Sequence, residues 1–414
     1  MKVSREGIQV ETYWNVSEKI YDRPTQEKLS LLNKEPEAKK QLKKLLSSSV
    51  SYRLISDVPL GVFLSGGIDS SIIAALATEA SPRPINTFSI GFEESDWNEA
   101  PYAREVSKAL GTEHHEFIVS LDEAKALIPQ LVDIYDEPFA DSSAIPTYLL
   151  SQLAAKHVKV VLGGDGGDEL FLGYGMYQWA ERLSKRFWQN LRKPISRSLA
   201  LFKADRYQKA SSLFDYNNKQ ELLSHIFSQE QWLFSRREIE GLLVSPLQQR
   251  RYQRPLQNRP LNPMEQQALF DLGFYLPDDL LVKVDRATMR HSLEGRVPLL
   301  DHRVVEFAIN LAPGLRYKNG ITKYLLKQVL YDYLPEKLFD RPKQGFSIPL
   351  ADWLQGDLKY LLEEFLSKSV IEKHGLVKYE PVEQLKNKFL KGQTYYYNRL
   401  WTLVVLHQFL RKHF

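Results

Sequence analysis

Two glycine-rich turns, each placed between an apolar run and a stretch with helical spacing, restrict this chain more than any other feature. The first is Ser65-Gly66-Gly67-Ile68-Asp69-Ser70, which follows Val58–Leu64 and leads into Ile68–Thr78. The second, Gly163-Gly164-Asp165-Gly166-Gly167-Asp168-Glu169, follows Val158–Leu162. A strand that turns through glycines into a helix leaves the backbone N–H groups of Ser65, Gly66 and Gly67 pointing at an anion, so the first turn reads as a phosphate cradle, and the second suggests a shared site. Neither is of the Walker type, because no Gly-Lys-Ser/Thr follows. In an open parallel sheet, turns that leave neighbouring strands can face one ligand from two sides. Asp69 and Asp168 could then share a magnesium ion, which takes hard oxygen ligands. The plainer alternatives are a Ser/Gly turn capping an ordinary helix, and Asp168 and Glu169 as acidic decoration of a helix start.

Other strand and helix signals alternate in the same manner. Strand-like runs at Ile85–Phe92 and His115–Val119 are interleaved with helical patterns at Ala100–Leu110, Leu121–Tyr135 and Ile145–Lys156. Alternation of this kind predicts an α/β fold with a doubly wound parallel sheet. Before it, Glu35–Ser51 is an amphipathic helix with Leu42, Leu45 and Leu46 on one face and lysines on another. After about Tyr177 the strand signals stop, and helices broken by Pro and Gly predict a C-terminal helical lobe. The expected division is residues 1–50 as a connecting segment with its helix, 51–178 as the nucleotide-binding core, and 179–414 as a helical lobe that completes the site.

Composition excludes several classes of chemistry. The chain has 414 residues and no cysteine, so disulfides, zinc thiolates and a thiol nucleophile of its own are ruled out. A net charge of +4 is too small to argue by itself for a nucleic-acid or membrane partner. No apolar run approaches a membrane span and no hydrophobic signal region opens the chain, so a cytoplasmic location is expected. His114 and His115 are adjacent in a strand, point to opposite faces and do not suit a shared metal. The aromatic stretch Gln393–Trp401 reads as helix packing.

The first turn resembles the pyrophosphate-binding loop of the ATP pyrophosphatases, which cleave ATP between its α and β phosphates. Six blocks in order extend the likeness: Phe63–Ser70, Thr87–Phe92, Asp136–Asp141, Gly163–Gly173, Asp285–Asp301 and Arg341–Pro349. Together they resemble the synthetase domain of the glutamine-hydrolysing asparagine synthetases, over nearly the whole chain from about Tyr13. The resemblance implies an adenine nucleotide alpha-hydrolase-like sheet and ATP-dependent amide synthesis. A carboxylate, that of aspartate in the namesake enzymes, takes AMP with release of pyrophosphate, and ammonia then displaces AMP.

The same resemblance implies roles for particular residues. Ser65, Gly67, Asp69 and Ser70, with Gly66, would hold pyrophosphate, and Asp69 and Asp168 would hold Mg2+. Ser89, Ile90, Gly91, Leu64 and Gly164 would seat adenosine, with Gly163 beside them where the family often has Ser. Lys343 matches the lysine that reaches the α phosphate. Asp165 stands where many members have Glu in the residue that handles protons or positions the amine. Glu294 and Arg296 are candidates for the acceptor substrate or for a structural ion pair.

The likeness departs at the front of the chain, where the family's glutaminase domain and its cysteine have no counterpart. Free ammonia, a separate glutaminase, or an origin as part of a longer protein would each account for that, and a homodimer stays open. Two other functions also remain open: amidation of another carboxylate, such as a sugar acid of surface polysaccharides, and tRNA modification suggested by Arg250, Arg251, Tyr252, Arg254 and Arg259. Nucleic acid is the less favoured partner, since base thiolation generally needs cysteine. A non-catalytic scaffold is disfavoured by intact Asp69, Asp168 and Lys343.

Overall fold

The computed structural model describes residues 1–5, 7–93, 98–202, 204–246, 258–341 and 348–414. A small exposed hairpin, β1 (Lys2–Ser4) with β2 (Gly7–Gln9), opens the chain. The five strands β3 (Leu60–Phe63), β4 (Asn86–Phe92), β5 (Glu113–Val119), β6 (Val160–Leu162) and β7 (Glu294–Arg296) form one sheet. Their order is β5-β4-β3-β6-β7 and every pairing is parallel. Strands β3, β4 and β5 progress one way, and β6 then returns to the free side of β3. The order therefore reverses between β3 and β6, where open α/β sheets bind ligands.

Helices cover both faces of the sheet. In chain order the ones that matter below are α1 (Glu35–Arg53), α2 (Ile68–Ala80), α3 (Ala100–Leu110), α4 (Ala144–Ala154), α5 (Gly167–Phe171) and α6 (Met176–Ser184). They continue as α7 (Arg186–Leu199), α8 (Asp205–Phe214), α9 (Leu281–Met289), α10 (His302–Asn310), α11 (Tyr324–Leu330) and α12 (Tyr397–His413). Successive side chains of a strand point to opposite faces, and β6 shows it: Val160 and Leu162 join the core formed with Leu42 and Leu46 of α1, while Val161 joins the one with Trp401 of α12. Burial on both sides is why the central strands read as continuous apolar runs instead of alternating ones.

Two expectations change in detail. The helix expected over Leu121–Tyr135 breaks into Leu121–Leu127, a 3-10 turn Ile128–Gln130 and Leu131–Ile134. Pro129 within it lacks an N–H and stops regular propagation. Strand structure also does not end near Tyr177, because β7 from the helical part supplies the fifth strand. Its three residues, Glu-Gly-Arg, are polar and stand at the edge of the sheet, so no apolar alternation marked them. The expected helix packing of Gln393–Trp401 is observed, with Tyr395 and Trp401 buried.

Among the described residues no helix is long and apolar enough to cross a membrane.

Candidate active site

The turn after β3 is held tightly by its own serines. The Ser65 N–H donates to Ser70 Oγ at 3.2 Å, the Gly67 N–H donates to Ser65 Oγ at 3.3 Å, and Ser70 Oγ donates to the Gly67 carbonyl at 3.3 Å. Gly66 has φ +73° and lies so close to α3 that a Cβ there would stand 2.7 Å from the Tyr102 carbonyl carbon. Only glycine combines that backbone with that contact. Gly67 caps α2 without a side-chain bond, so the first N–H groups of this 13-residue helix have no side-chain cap from Gly67.

The turn after β6 presses directly on the first. A Cβ on Gly164 would lie 2.7 Å from both the Asp69 carbonyl carbon and the Ser70 nitrogen, which places the two turns in backbone contact. The Gly163 N–H donates to the Arg296 carbonyl at 2.8 Å, tying this turn to β7. Gly166 caps the short α5 with φ +91°.

Asp69 from one turn and Asp168 from the other converge on Lys323. Its Nζ lies 2.7 Å from Asp168 Oδ1 and also donates to Asp69 Oδ2. The Lys323 N–H donates to the Phe171 carbonyl at 3.0 Å, and the residue adopts the left-handed region with φ +53°. That conformation costs a non-glycine residue roughly 1 kcal/mol and persists where the surroundings impose it. Burial works against the ammonium, yet Asp168 and Asp69 hold its pKa above the ordinary value. Sequence reading missed Lys323; its signal, a lone Lys after Gly320-Ile321-Thr322, is indistinguishable from a solvated turn.

Beside this junction, Glu169 is 1% exposed, and burial followed by the charge of Asp168 pushes its pKa up to about 7. Tyr174 donates to Glu169 Oε1 at 2.8 Å. Asp165 is also pushed up, chiefly by burial, with Lys283 opposing.

A second polar group lies deeper in the cleft. Lys283 of α9 donates to Asp141 Oδ2 at 2.9 Å and to Ser143 Oγ at 2.8 Å, and Ser143 in turn donates to Asp141 Oδ1 at 2.8 Å. Burial disfavours the Asp141 carboxylate, but Lys283 and Ser143 keep its pKa below the ordinary value. Asp279 sits on a π turn, Leu276–Leu280, a local winding frequent at functional sites. Burial first, and then Asp141, push its pKa up to about 8.

One cleft of about 950 Å³ joins these groups. Leu64, Ser65, Gly66, Gly67, Asp69, Ser70, Ser89, Ile90, Gly163, Gly164, Asp165 and Asp168 all line it. Gly91 does not; it backs onto α3, where a Cβ would stand 2.9 Å from Ala100 Cβ. Glu294 and Arg296 are also outside the lining. Arg296 Nε donates to Glu294 Oε1 at 2.7 Å and its Nη1 donates to the Arg53 and Ile55 carbonyls at 2.8 Å each, so both side chains serve the edge strand. Lys343 lies outside the described residues, as do Arg250, Arg251, Tyr252 and Arg254. Arg259 is buried against Glu265 at 2.7 Å and is spent inside the fold. His114 and His115 have separate partners: His114 Nε2 lies 3.1 Å from Ser89 Oγ, and His115 Nε2 lies 2.9 Å from Asn86 Oδ1.

The model of the family described as asparagine synthase matches residues 41–411. The chain belongs to the asparagine synthase family. Similar members include asparagine synthetase [glutamine-hydrolyzing] 1 of Bacillus subtilis, 30% identical over 386 residues that cover 88% of this chain and 58% of that protein. A putative asparagine synthetase [glutamine-hydrolyzing] of Mycobacterium tuberculosis is 35% identical over 375 residues, 87% of this chain and 56% of that one. A putative asparagine synthetase [glutamine-hydrolyzing] 2 of Methanocaldococcus jannaschii is 47% identical over 133 residues, 32% of this chain and 26% of that one. The chain thus spans less than two thirds of the length of the asparagine synthetases it matches.

Proposed function

We propose that this chain makes an amide at the expense of ATP through an acyl-adenylate, releasing AMP and pyrophosphate, with aspartate as acceptor and ammonia as nitrogen source. The observation that carries the reading is the pair of touching turns whose carboxylates, Asp69 and Asp168, meet on Lys323. Backbone N–H groups of the first turn and of α2 would hold the β and γ phosphates, and Lys323 would take up the negative charge that grows on the leaving pyrophosphate. Lys343 is assigned to the α phosphate. Ser89 and Ile90, at the end of β4, would border the adenosine, and the helical part of residues 179–414 would close the acceptor side over the 51–178 core.

Asp69 and Asp168 also fit Mg2+: both are oxygen donors, and glycine at 167 leaves the Asp69 carboxylate the space that a Cβ would fill. Two carboxylates make an incomplete shell, so phosphate oxygens and water would complete it. When bound, the ion neutralises phosphate charge. Asp165, which feels the charges of both Lys283 and Asp168, would act on the incoming amine.

Amidation of a bulkier acid, such as a sugar acid, is the second reading. Phe227, Trp232, Tyr275 and Tyr397 also line the cleft and supply aromatic surface that aspartate does not need. Exchange of labelled pyrophosphate into ATP, measured with aspartate and with uronic acids, separates the two. Aspartate-dependent exchange supports the first reading, uronate-dependent exchange alone supports the second, and production of ADP in place of AMP overturns both. The nitrogen source, free ammonia or a separate glutaminase, is read from amide formation in each supply.

A further inference from the structure

The helices α7 and α8 form a hairpin with an apolar stripe that the fold leaves uncovered. The inward side of α7 is Trp188, Ile195 and Leu199, packed on the cluster around Tyr177 and Phe214. On another side Phe187 is 63% exposed and Leu191 39%, and at the tip after the helix Leu201 is 83% and Phe202 53% exposed. At the α-helical turn of about 100° per residue, Phe187, Leu191, Pro194 and Ser198 fall within an arc of about 60°. Arg186, Lys193 and Arg197 run along one edge of this arc, all exposed, and none forms an ion pair with another described residue. Residues 185–206 contain seven Lys or Arg against one Asp, so this segment alone exceeds the +4 of the whole chain. The remainder is acidic on balance, and the charge is concentrated where the apolar side chains protrude.

We propose that the α7–α8 hairpin seats this protein on an anionic membrane surface. Phe187, Leu191, Leu201 and Phe202 enter the headgroup boundary while Arg186, Lys193 and Arg197 meet lipid phosphates. Charge selects this occupant. A second copy would bring the same cationic patch face to face with itself, since a two-fold contact pairs like with like. Leucine at positions 191 and 201 suits acyl chains and gives no stacking platform for nucleic-acid bases. The inference does not depend on the amide chemistry.

The test is co-sedimentation of the full chain with vesicles of phosphatidylcholine alone and of phosphatidylcholine with phosphatidylglycerol. Binding is expected only to the anionic vesicles and weakens with salt. Joint substitution Lys193→Glu and Arg197→Glu lowers the partition more than about tenfold, and Leu201→Ser with Phe202→Ser lowers it at least about fivefold. Both variants keep the wild-type melting temperature and pyrophosphate exchange, since neither touches the cleft. Absence of binding, equal binding to neutral vesicles, or unchanged partition of the variants overturns the proposal. So does a solution dimer that Phe187→Glu dissociates in a protein with no affinity for vesicles, which assigns the stripe to a second copy.

Discussion

The ammonium of Lys323 stands 2.7 Å from Asp168 Oδ1 and also bonds Asp69, so one side chain from the helical part joins the two turns of the sheet. Lys323 is 5% exposed, and removing it leaves two neighbouring carboxylates in a poorly solvated site. Breaking such a buried pair costs about 3–5 kcal/mol. Lys323→Met is therefore expected to lower the melting temperature and to reduce pyrophosphate exchange about 10²- to 10³-fold, the usual effect of deleting a donor to developing charge. Lys323→Arg does not rescue it, because a planar fork cannot replace a compact ammonium between two carboxylates. Wild-type melting and exchange in Lys323→Met would show that the contact is incidental.

The contact between the turns gives a separate test. Gly164→Ala puts a methyl group 2.7 Å from backbone atoms of Asp69 and Ser70, which cannot move aside as a flexible side chain would. The turns must separate, at a cost of about 1–3 kcal/mol typical of overpacking. Exchange is expected to fall by about a hundredfold, since displacement by an ångström in a catalytic site has that effect. Gly175→Ala, with open space around its Cβ, serves as the control and leaves exchange unchanged.

What the sequence disclosed and what it hid divide along contact range. The turns were legible because glycine recurs where backbones touch or φ is positive, as at Gly66, Gly164 and Gly166. Strands β3, β4 and β6 were legible because burial on both faces favours apolar runs. The partners of those turns were not. Lys323 is 254 residues from Asp69, and Lys283 is 142 residues from Asp141, so nothing local marks either lysine. Glu294 and Arg296, candidates for the acceptor substrate or for a structural ion pair, bond each other, and Arg296 also ties the edge strand to the carbonyls of Arg53 and Ile55. The π turn that presents Asp279 has no sequence signature beyond Pro277.

Asp279 should make stability depend on pH. Its folded pKa of about 8 lies above the ordinary 3.8, so the folded chain keeps a proton that the unfolded chain releases. Between those values stability falls as pH rises, and the contribution is fully present only below about 3.8. Asp279→Asn mimics the protonated group and cannot ionise. The variant is expected to be the more stable protein at pH 8, by a few kcal/mol at most, and to show a flatter decline between pH 5 and 8. Thermal melting at several pH values decides it, and parallel profiles for the two proteins would exclude Asp279 as the source.

A histidine pair outside the cleft lining works in the opposite direction. His407 of α12 is fully buried, its Nδ1 lies 2.8 Å from His374 Nδ1, and the two rings are stacked with centroids 5.1 Å apart. Burial and the neighbouring His374 push its pKa down to about 4 from 6.5. As pH falls through that interval the unfolded chain binds a proton that the folded chain refuses, so stability is lost on acidification and is fully present above about 6.5. The loss amounts to at most about 3 kcal/mol. Because α12 also carries Trp401 in the core and Tyr397 in the cleft lining, acid opening at this pair would loosen that wall of the cleft as well. His407→Gln cannot acquire that charge, and is expected to retain more of its neutral-pH stability at pH 4.5 than the wild type does. Equal acid sensitivity in the two proteins would place the titrating group elsewhere.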